Sequence, residues 1–359
     1  MRTPLALGRS ARGFSMPAEW EPHEATWLAW PHHARDWPGK LPAIGWVYGE
    51  IVRKLVPGEK VRILVPSATV QRQALRVLGS AGVDMRQVEF YRIATDRGWL
   101  RDAGPWFLRR WAGAKSRLVV ADFHFNAWAR YANWRKDRKL ARQVARRLGL
   151  PLVDARWRGR PVVLEGGGVD VNGLGTLLTT EQWCLDPAVQ VRNPGFDRQD
   201  YEGLFRRYLG ATNVLWLGRG IAGDDTHGHV DDICRFVNPR TVVVCQCDDP
   251  ADPNYGPLQE NAARLQDMRL EDGSRPQMVP LPMPGPLFWR NERLPASYAN
   301  FYIANTVVLV PTFNDPADRK ALGILSELFP DRTVVGIHAV DLVLGLGTLH
   351  CLTHEQPAY

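Results

Sequence analysis

The chain has 359 residues, with 45 Lys and Arg against 38 Asp and Glu, 45% hydrophobic residues and a net charge of +7. A charged fraction of 23% beside that apolar content excludes disordered and fibrous classes and leaves enough chain for one or two globular domains. No run approaches the ~18 to 20 consecutive apolar residues of a membrane span, and the opening MRTPLALGRSARGFS carries charge without a continuous apolar stretch, so a soluble, unsecreted, cytoplasmic protein is expected.

In chain order, apolar β-branched runs and helical periodicity predict a strand over 60–66, a helix near 69–78, a strand over 117–123 and a helix near 137–148. Strands follow over 175–180 and 213–217 with a helix near 199–209 between them, then strands over 241–247 and 301–311, a helix near 315–328 and a strand over 331–339. Turn chemistry punctuates them at Asn172-Gly173, Asn193-Pro194 and Asn314-Asp315-Pro316. Strands alternating with helices make the class α/β. The segments 248–257 and 273–295 are rich in Pro, Gly, Asn and Asp and read as long surface loops.

Much of the excess positive charge falls between Arg109 and Arg160, including an amphipathic helix in which Leu140, Val144, Leu148 and Leu150 share one face. A solvated helix face and a nucleic-acid contact are both open there. No aromatic-basic RNA signature or zinc-finger spacing accompanies it, so no nucleic-acid partner is expected. The five cysteines are odd in number, sparse and without CxxC, which suits reduced thiols in a cytosol rather than a disulfide framework.

Asp102 lies in WLRDAGPW (99–106), a charged pair enclosed by tryptophans at a Gly-Pro turn. A carboxylate among indoles suits a flat cation, with bidentate acceptors on the acid and ring faces for stacking; a structural Arg101/Asp102 pair is the plain reading. GDDTHGHVDD (223–232) places four acids and two histidines in ten positions. If the chain after Gly228 is extended, His229 and Asp231 project from one face; proton transfer, metal binding and a solvated turn are all open. Cys351 follows LGLGTLH (344–350), where Gly345 and Gly347 allow close backbone approach to a ligand; it is either a nucleophile or a buried small hydrophobe. His350, its neighbour, points to the opposite face if that segment is extended, and the other four cysteines read as core. Glu165 precedes three glycines in LEGGGVDV (164–171), but GxGxxG and a P-loop lysine are absent, so nucleotide binding is discounted.

With these motifs together, the chain resembles the agmatine deiminases of the guanidine-modifying (pentein) superfamily, which also holds peptidylarginine and arginine deiminases. The resemblance runs from MPAEWEPHEATWLAWP (16–31) through WLRDAGP, FNAW (125–128), LEGGG, LLTTEQWCLDP, GDDTHGHVDDICRFV and ASYANFYIAN to LGLGTLHCLTHEQPA (344–358). It implies a single closed catalytic domain over 1–359, a five-bladed α/β propeller of ββαβ units with the site in its central channel. It also implies Cys351 as nucleophile, His229 as proton-transfer residue, and Asp102 and Asp231 as the carboxylates holding the guanidinium. Trp99 matches a pocket-lining tryptophan, and Asp225 stands where many relatives have Glu. Glu165 and Gly347 join them as candidate substrate contacts.

The implied enzyme is a hydrolase acting on C–N bonds of linear amidines, converting agmatine to carbamoylputrescine and ammonia in polyamine metabolism, with no metal or organic cofactor. A homodimer is implied as well. A guanidinium, with a pKa of ~12.5 to 13.8, arrives charged and is a poor electrophile until it is gripped and oriented. Rival readings are a peptidylarginine or free-arginine deiminase, a metallohydrolase using His227, His229, Asp225 and Asp231, and a nucleic-acid-binding protein acting through the 109–160 tract. HEQPA after Cys351, where many relatives have glutamines, bears on the first.

Overall fold

Strands rich in Val, Ile and Leu, such as Lys60–Val65, Thr241–Gln246 and Val307–Thr312, are buried on both faces, the pattern of a sheet covered on both sides. A computed structural model describes residues 12–113 and 115–358; the opening stretch 1–11, read above for its charge, lies outside them.

Five sheets of three or four strands repeat one connectivity, an antiparallel pair followed by a crossover helix and a parallel third strand. Parallel strands need such a crossover because a hairpin cannot join them. Trp106–Ala112 pairs antiparallel with Lys115–Asp122, and after the helix Leu140–Leu148 the chain returns as Leu152–Asp154, parallel to Lys115–Asp122. Arg12–Ser15 extends that sheet on the edge of Trp106–Ala112. Asp170–Val171, Thr176–Thr180 and Asn213–Leu217 repeat the order around the helix Arg198–Leu204. Cys234–Asn238, Thr241–Gln246 and Gln277–Pro282 do so around Tyr255–Asp267, and Tyr302–Ile303, Val307–Thr312 and Thr333–His338 around Ala317–Leu328. The remaining sheet joins distant segments. His354–Pro357 lies antiparallel to His23–Ala29, which pairs with Lys60–Val65 across the helix Leu41–Leu55, and Val88–Arg92 completes it.

Local signals start and stop the helices. Ser67 accepts a hydrogen bond from the Val70 amide at 3.3 Å to cap Ala68–Ser80, and Asp197 with Asp200 forms a reciprocal capping box on Arg198–Leu204. Pro42 sits in the first turn of Leu41–Leu55, where its missing N–H costs nothing. Among the described residues no helix is long and apolar enough to cross a membrane.

Each run predicted as a strand contains one, with one division. The 301–311 run is a hairpin, Tyr302–Ile303 against Val307–Thr312, because Asn305 turns the chain: its amide donates to Glu59 Oε2 at 2.7 Å and its side-chain nitrogen to the His23 carbonyl at 2.9 Å. The loop reading of 248–257 and 273–295 needs correction. Tyr255 opens the helix Tyr255–Asp267, and Gln277–Pro282 is a strand paired in parallel with Thr241–Gln246. Pro280 and Pro282 hide it in the sequence, yet it is an edge strand, where a missing N–H is tolerated. Leu281 in that strand is fully buried. Leu281→Ala is therefore expected to lower unfolding free energy by about 2–5 kcal/mol in urea denaturation. A loop residue at that position would give a change within about 0.5 kcal/mol.

Candidate active site

The turn before the first strand of each sheet carries one polar or flexible residue to a common place. Asp102 precedes Trp106–Ala112, Gly167 precedes Asp170–Val171, Asp231 precedes Cys234–Asn238, Asn300 precedes Tyr302–Ile303 and Cys351 precedes His354–Pro357. Four of these turns are single helical turns, Leu100–Ala103, Gly166–Gly168, Val230–Asp232 and Leu349–Leu352.

Four sequence candidates meet there. Cys351 Sγ lies 3.8 Å from Asp231 Oδ2, and His229 Nδ1 lies 3.8 Å from Asp102 Oδ1 and 4.0 Å from Asp231 Oδ1. His229 Nδ1 and Asp231 Oδ1 are buried without a hydrogen-bond partner, so both are aimed at whatever occupies the centre. Gly167 explains why a centre exists. Its amide donates to Asp102 Oδ1 at 2.9 Å, and a methyl group on it would come within 2.4 Å of His229 Nδ1 and 2.9 Å of Asp231 Oδ2. Gly167 thus leaves room for acids and imidazole, while Gly166 lies against Arg101 and Gly168 against the Trp183 ring. Gly347 acts similarly at the edge: a methyl there would come within 3.0 Å of the Trp99 ring and 3.1 Å of Cys351 Sγ, so its absence lets indole and thiol share one stretch of backbone.

Two placements correct the sequence reading. The chain around His229 is not extended; Val230–Asp232 is a 3₁₀ turn, and His229 and Asp231 meet because that turn folds them inward together. Glu165 does not face the centre. It sits behind His229, accepting from His229 Nε2 at 2.9 Å, Trp183 Nε1 at 2.9 Å and Arg192 at 3.0 and 3.1 Å, which fixes the ring with Nδ1 pointing inward. Asp225 is apart from this group, held by Tyr131 Oη at 2.6 Å and Arg130 Nε at 2.8 Å. Trp99 donates to Asp36 Oδ2 at 3.1 Å, and Asp36 also lines a cavity of about 460 Å³ together with Arg97, Tyr131 and Gly345.

Sequence reasoning missed the residues that hold the carboxylates. His350 belongs to a helical turn rather than an extended segment, so it packs behind Asp231 instead of turning away. Its Nδ1 lies 2.7 Å from Asp231 Oδ2 and its Nε2 2.8 Å from Glu19 Oε2, while Arg101 and Arg235 each reach Glu19 at 3.1 Å. Trp128 Nε1 donates to Asp102 Oδ2 at 2.8 Å, and Asn300 Nδ2 donates to Cys351 Sγ at 3.1 Å. Both residues lie in quoted motifs, FNAW and ASYANFYIAN, where only the side-chain type could have marked them.

The electrostatics favour a cation. Burial opposes a charged His229, but Asp102, Glu165 and Asp231 outweigh it and raise the ring to about 9. Burial also works against ionised Asp231, yet the His350 contact holds its carboxyl below the ordinary value. Burial, reinforced by Glu165 and Asp231, pushes Asp102 up. Burial first, then Asp231, Asp232 and Asp102, drives the Cys351 thiol well above its ordinary value. The site therefore holds a thiol among acids, and a planar cation beside them relieves that repulsion. Among the described residues no group of three or more His, Cys, Asp or Glu is arranged to hold a metal, and His227 is committed to Asp186 at 2.8 Å.

The chain is 33% identical to an agmatine deiminase of Ectopseudomonas mendocina (strain ymp) over 99% of each chain, and 34% identical to one of Pseudomonas aeruginosa (strain LESB58) over 100% of this chain and 99% of the other. Among solved structures, agmatine deiminase of Enterococcus faecalis superposes with a TM-score of 0.85 at 29% identity, covering 96% of both chains. A cysteine-to-serine form of C. jejuni agmatine deiminase with substrate bound superposes with a TM-score of 0.83 at 29% identity, again over 96% of both. A family profile described as Porphyromonas-type peptidyl-arginine deiminase matches residues 15–357, and the chain belongs to that family.

Proposed function

We propose that this chain hydrolyses agmatine to carbamoylputrescine and ammonia through a covalent intermediate on Cys351. The observation that carries the reading is the meeting of one thiol, one imidazole nitrogen and two carboxylates around the space that Gly167 leaves open. Asp102 and Asp231 hold the guanidinium, which orients its carbon towards Cys351 Sγ. Trp99 forms a wall of the pocket beside the thiol, and Asp225 takes the distal amine.

Burial and the neighbouring Asp231, Asp232 and Asp102 favour the neutral thiol, and the substrate cation offsets those carboxylates. Binding of the guanidinium therefore releases the thiol proton to solvent, and the thiolate attacks the guanidinium carbon to form a C–S bond. Protonated His229 donates from Nδ1 to the departing nitrogen, the C–N bond breaks and ammonia leaves, giving an S-alkylthiouronium. The neutral ring then takes a proton from water, whose oxygen adds to the same carbon. The C–S bond breaks, the hydroxyl proton of the adduct passes to solvent, the ureido product leaves and the thiolate is restored. Glu165 and Arg192 keep the His229 ring aligned through both transfers.

The five sheets of like connectivity support a five-bladed α/β propeller of ββαβ units, a single catalytic unit spanning 1–359, with this group of residues in its channel.

Cys351→Ser should cut ammonia release from agmatine by more than ~10³-fold, and intact mass after acid quenching should show an adduct on the wild type alone. Absence of any trapped mass under single-turnover conditions, with Cys351→Ser active, would sink the covalent mechanism. The raised His229 value gives the sign of the pH dependence: the ring keeps its proton at neutral pH and loses it as pH rises through about 9. The kcat/KM profile is thus expected to fall on its alkaline side near that value. Gly167→Ala, which places a methyl against His229, should lower kcat by about 10²-fold or more. Near-wild-type kcat in that variant would show that the centre is not where the chemistry occurs.

A further inference from the structure

Residues 126–131 are unusual in two independent ways. Ala127, Trp128 and Ala129 have φ of 51°, 59° and 53°, three successive non-glycine residues in the left-handed region, which L-amino acids disfavour. Strain of that kind persists only where surrounding contacts over-determine it, and it concentrates at functional sites. Those contacts are present. Asn126 Oδ1 accepts from the Ala129 amide at 2.9 Å, and Gln190 Nε2 donates to the Trp128 and Asp225 carbonyls at 3.0 Å each. The Arg97 guanidinium lies 4.1 Å from the centre of the Tyr131 ring and 5.4 Å from that of Trp128, and Asp36, the partner of Trp99, holds Arg97 at 2.6 Å.

The second feature is where this turn reaches. At one end Trp128 Nε1 donates to Asp102 Oδ2, and three residues on Tyr131 Oη donates to Asp225 Oδ2, with Arg130 Nε on the other oxygen of Asp225. A single six-residue turn therefore grips two carboxylates that come from different connecting segments, the turn Leu100–Ala103 and the loop after Asn213–Leu217, and are far apart in sequence. We propose that this turn sets the span between the acid that holds the guanidinium and the acid that takes the distal amine, with Trp128 as the positioning residue at the guanidinium end and Tyr131 as the one that sets substrate length at the amine end. The inference rests on the roles given to Asp102 and Asp225 under the proposed function.

Packing alone does not account for the arrangement. Trp128 is buried and meets Phe125 edge to face at 5.2 Å, a role that phenylalanine at 128 would fill as well. What phenylalanine lacks is the N–H. Without that donor Asp102 ionises less readily and can swing from the orientation in which its free lone pairs face the guanidinium. Loss of a hydrogen bond to a charged group corresponds to about 10- to 100-fold in rate.

The test uses agmatine, its homologues with three and five methylenes between guanidinium and amine, and butylguanidine, which lacks the amine. For Trp128→Phe, kcat/KM is expected to fall by about 10- to 100-fold on all four substrates alike. Its acid limb should move to higher pH while the wild-type length preference survives. For Tyr131→Phe, the preference for agmatine over its homologues is expected to narrow by about tenfold or more. An unchanged kcat/KM and acid limb in Trp128→Phe, or a wild-type length preference in Tyr131→Phe, overturns the inference. Should Trp128→Phe fail to fold, Tyr131→Phe carries the test, since that side chain is only half-buried. Wild type inactive on agmatine overturns the functional reading and this inference with it. Wild type active on agmatine with indifferent variants overturns the inference alone.

Discussion

The structure depends on packing several carboxyl groups close together where almost none of their surface reaches solvent. Asp102, Asp231, Asp232 and Glu165 are all at least nine-tenths buried around one thiol. Left alone, such groups would take up protons rather than remain charged, since burying an unpaired ion costs several kcal/mol. Cations placed behind the acids offset that cost. Arg192 pairs with Glu165, His350 with Asp231, and Arg101 with Arg235 steadies Glu19, whose carboxyl is thereby held at about 2 despite burial. Towards the centre Asp102 and Asp231 have, among the described residues, only the His229 ring as a base beside them, at 3.8 and 4.0 Å, and that excess of acid over base favours a cation.

The fold supplies this charge arrangement economically. Each sheet starts with a strand that emerges from a short turn, and each such turn delivers one residue to the centre. Acid, glycine, acid, amide and thiol come in that order along the chain. The third strands, most of them only partly buried, and the crossover helices carry none of these residues. A protein with net charge of +7 can therefore hold an acidic centre, because outward elements such as the helix Leu140–Leu148 carry basic residues while the inward turns carry the acids.

Part of this is legible from residues alone. Alternating strands and helices appear in the β-branched runs, whereas Cys351, His229, Asp102 and Asp231 are open to plain readings as residues, and their roles follow only from the resemblance of their motifs to those of agmatine deiminases. What stayed hidden were relations that only three dimensions fix. Glu165 was visible as an acid but not as the partner of an imidazole 64 positions away. His350 was misread because its direction depends on whether Leu349–Leu352 is extended or helical, and a four-residue stretch carries too little periodicity to decide. Gln277–Pro282 was lost to its prolines, whose tolerance depends on being at a sheet edge, a fact of topology rather than composition.

One pairing has a kinetic consequence. The strand His354–Pro357 docks on His23–Ala29, and the nucleophile is carried on the turn immediately before it. Contacts between segments so remote along the polymer are entropically slow to form, so this junction belongs among the last events of refolding. A chain returning from denaturant would regain its helices and four of its sheets while the sulfur still wandered. Recovered turnover should consequently lag behind recovered circular dichroism, and the enzyme's competence reports the closing of its most distant seam.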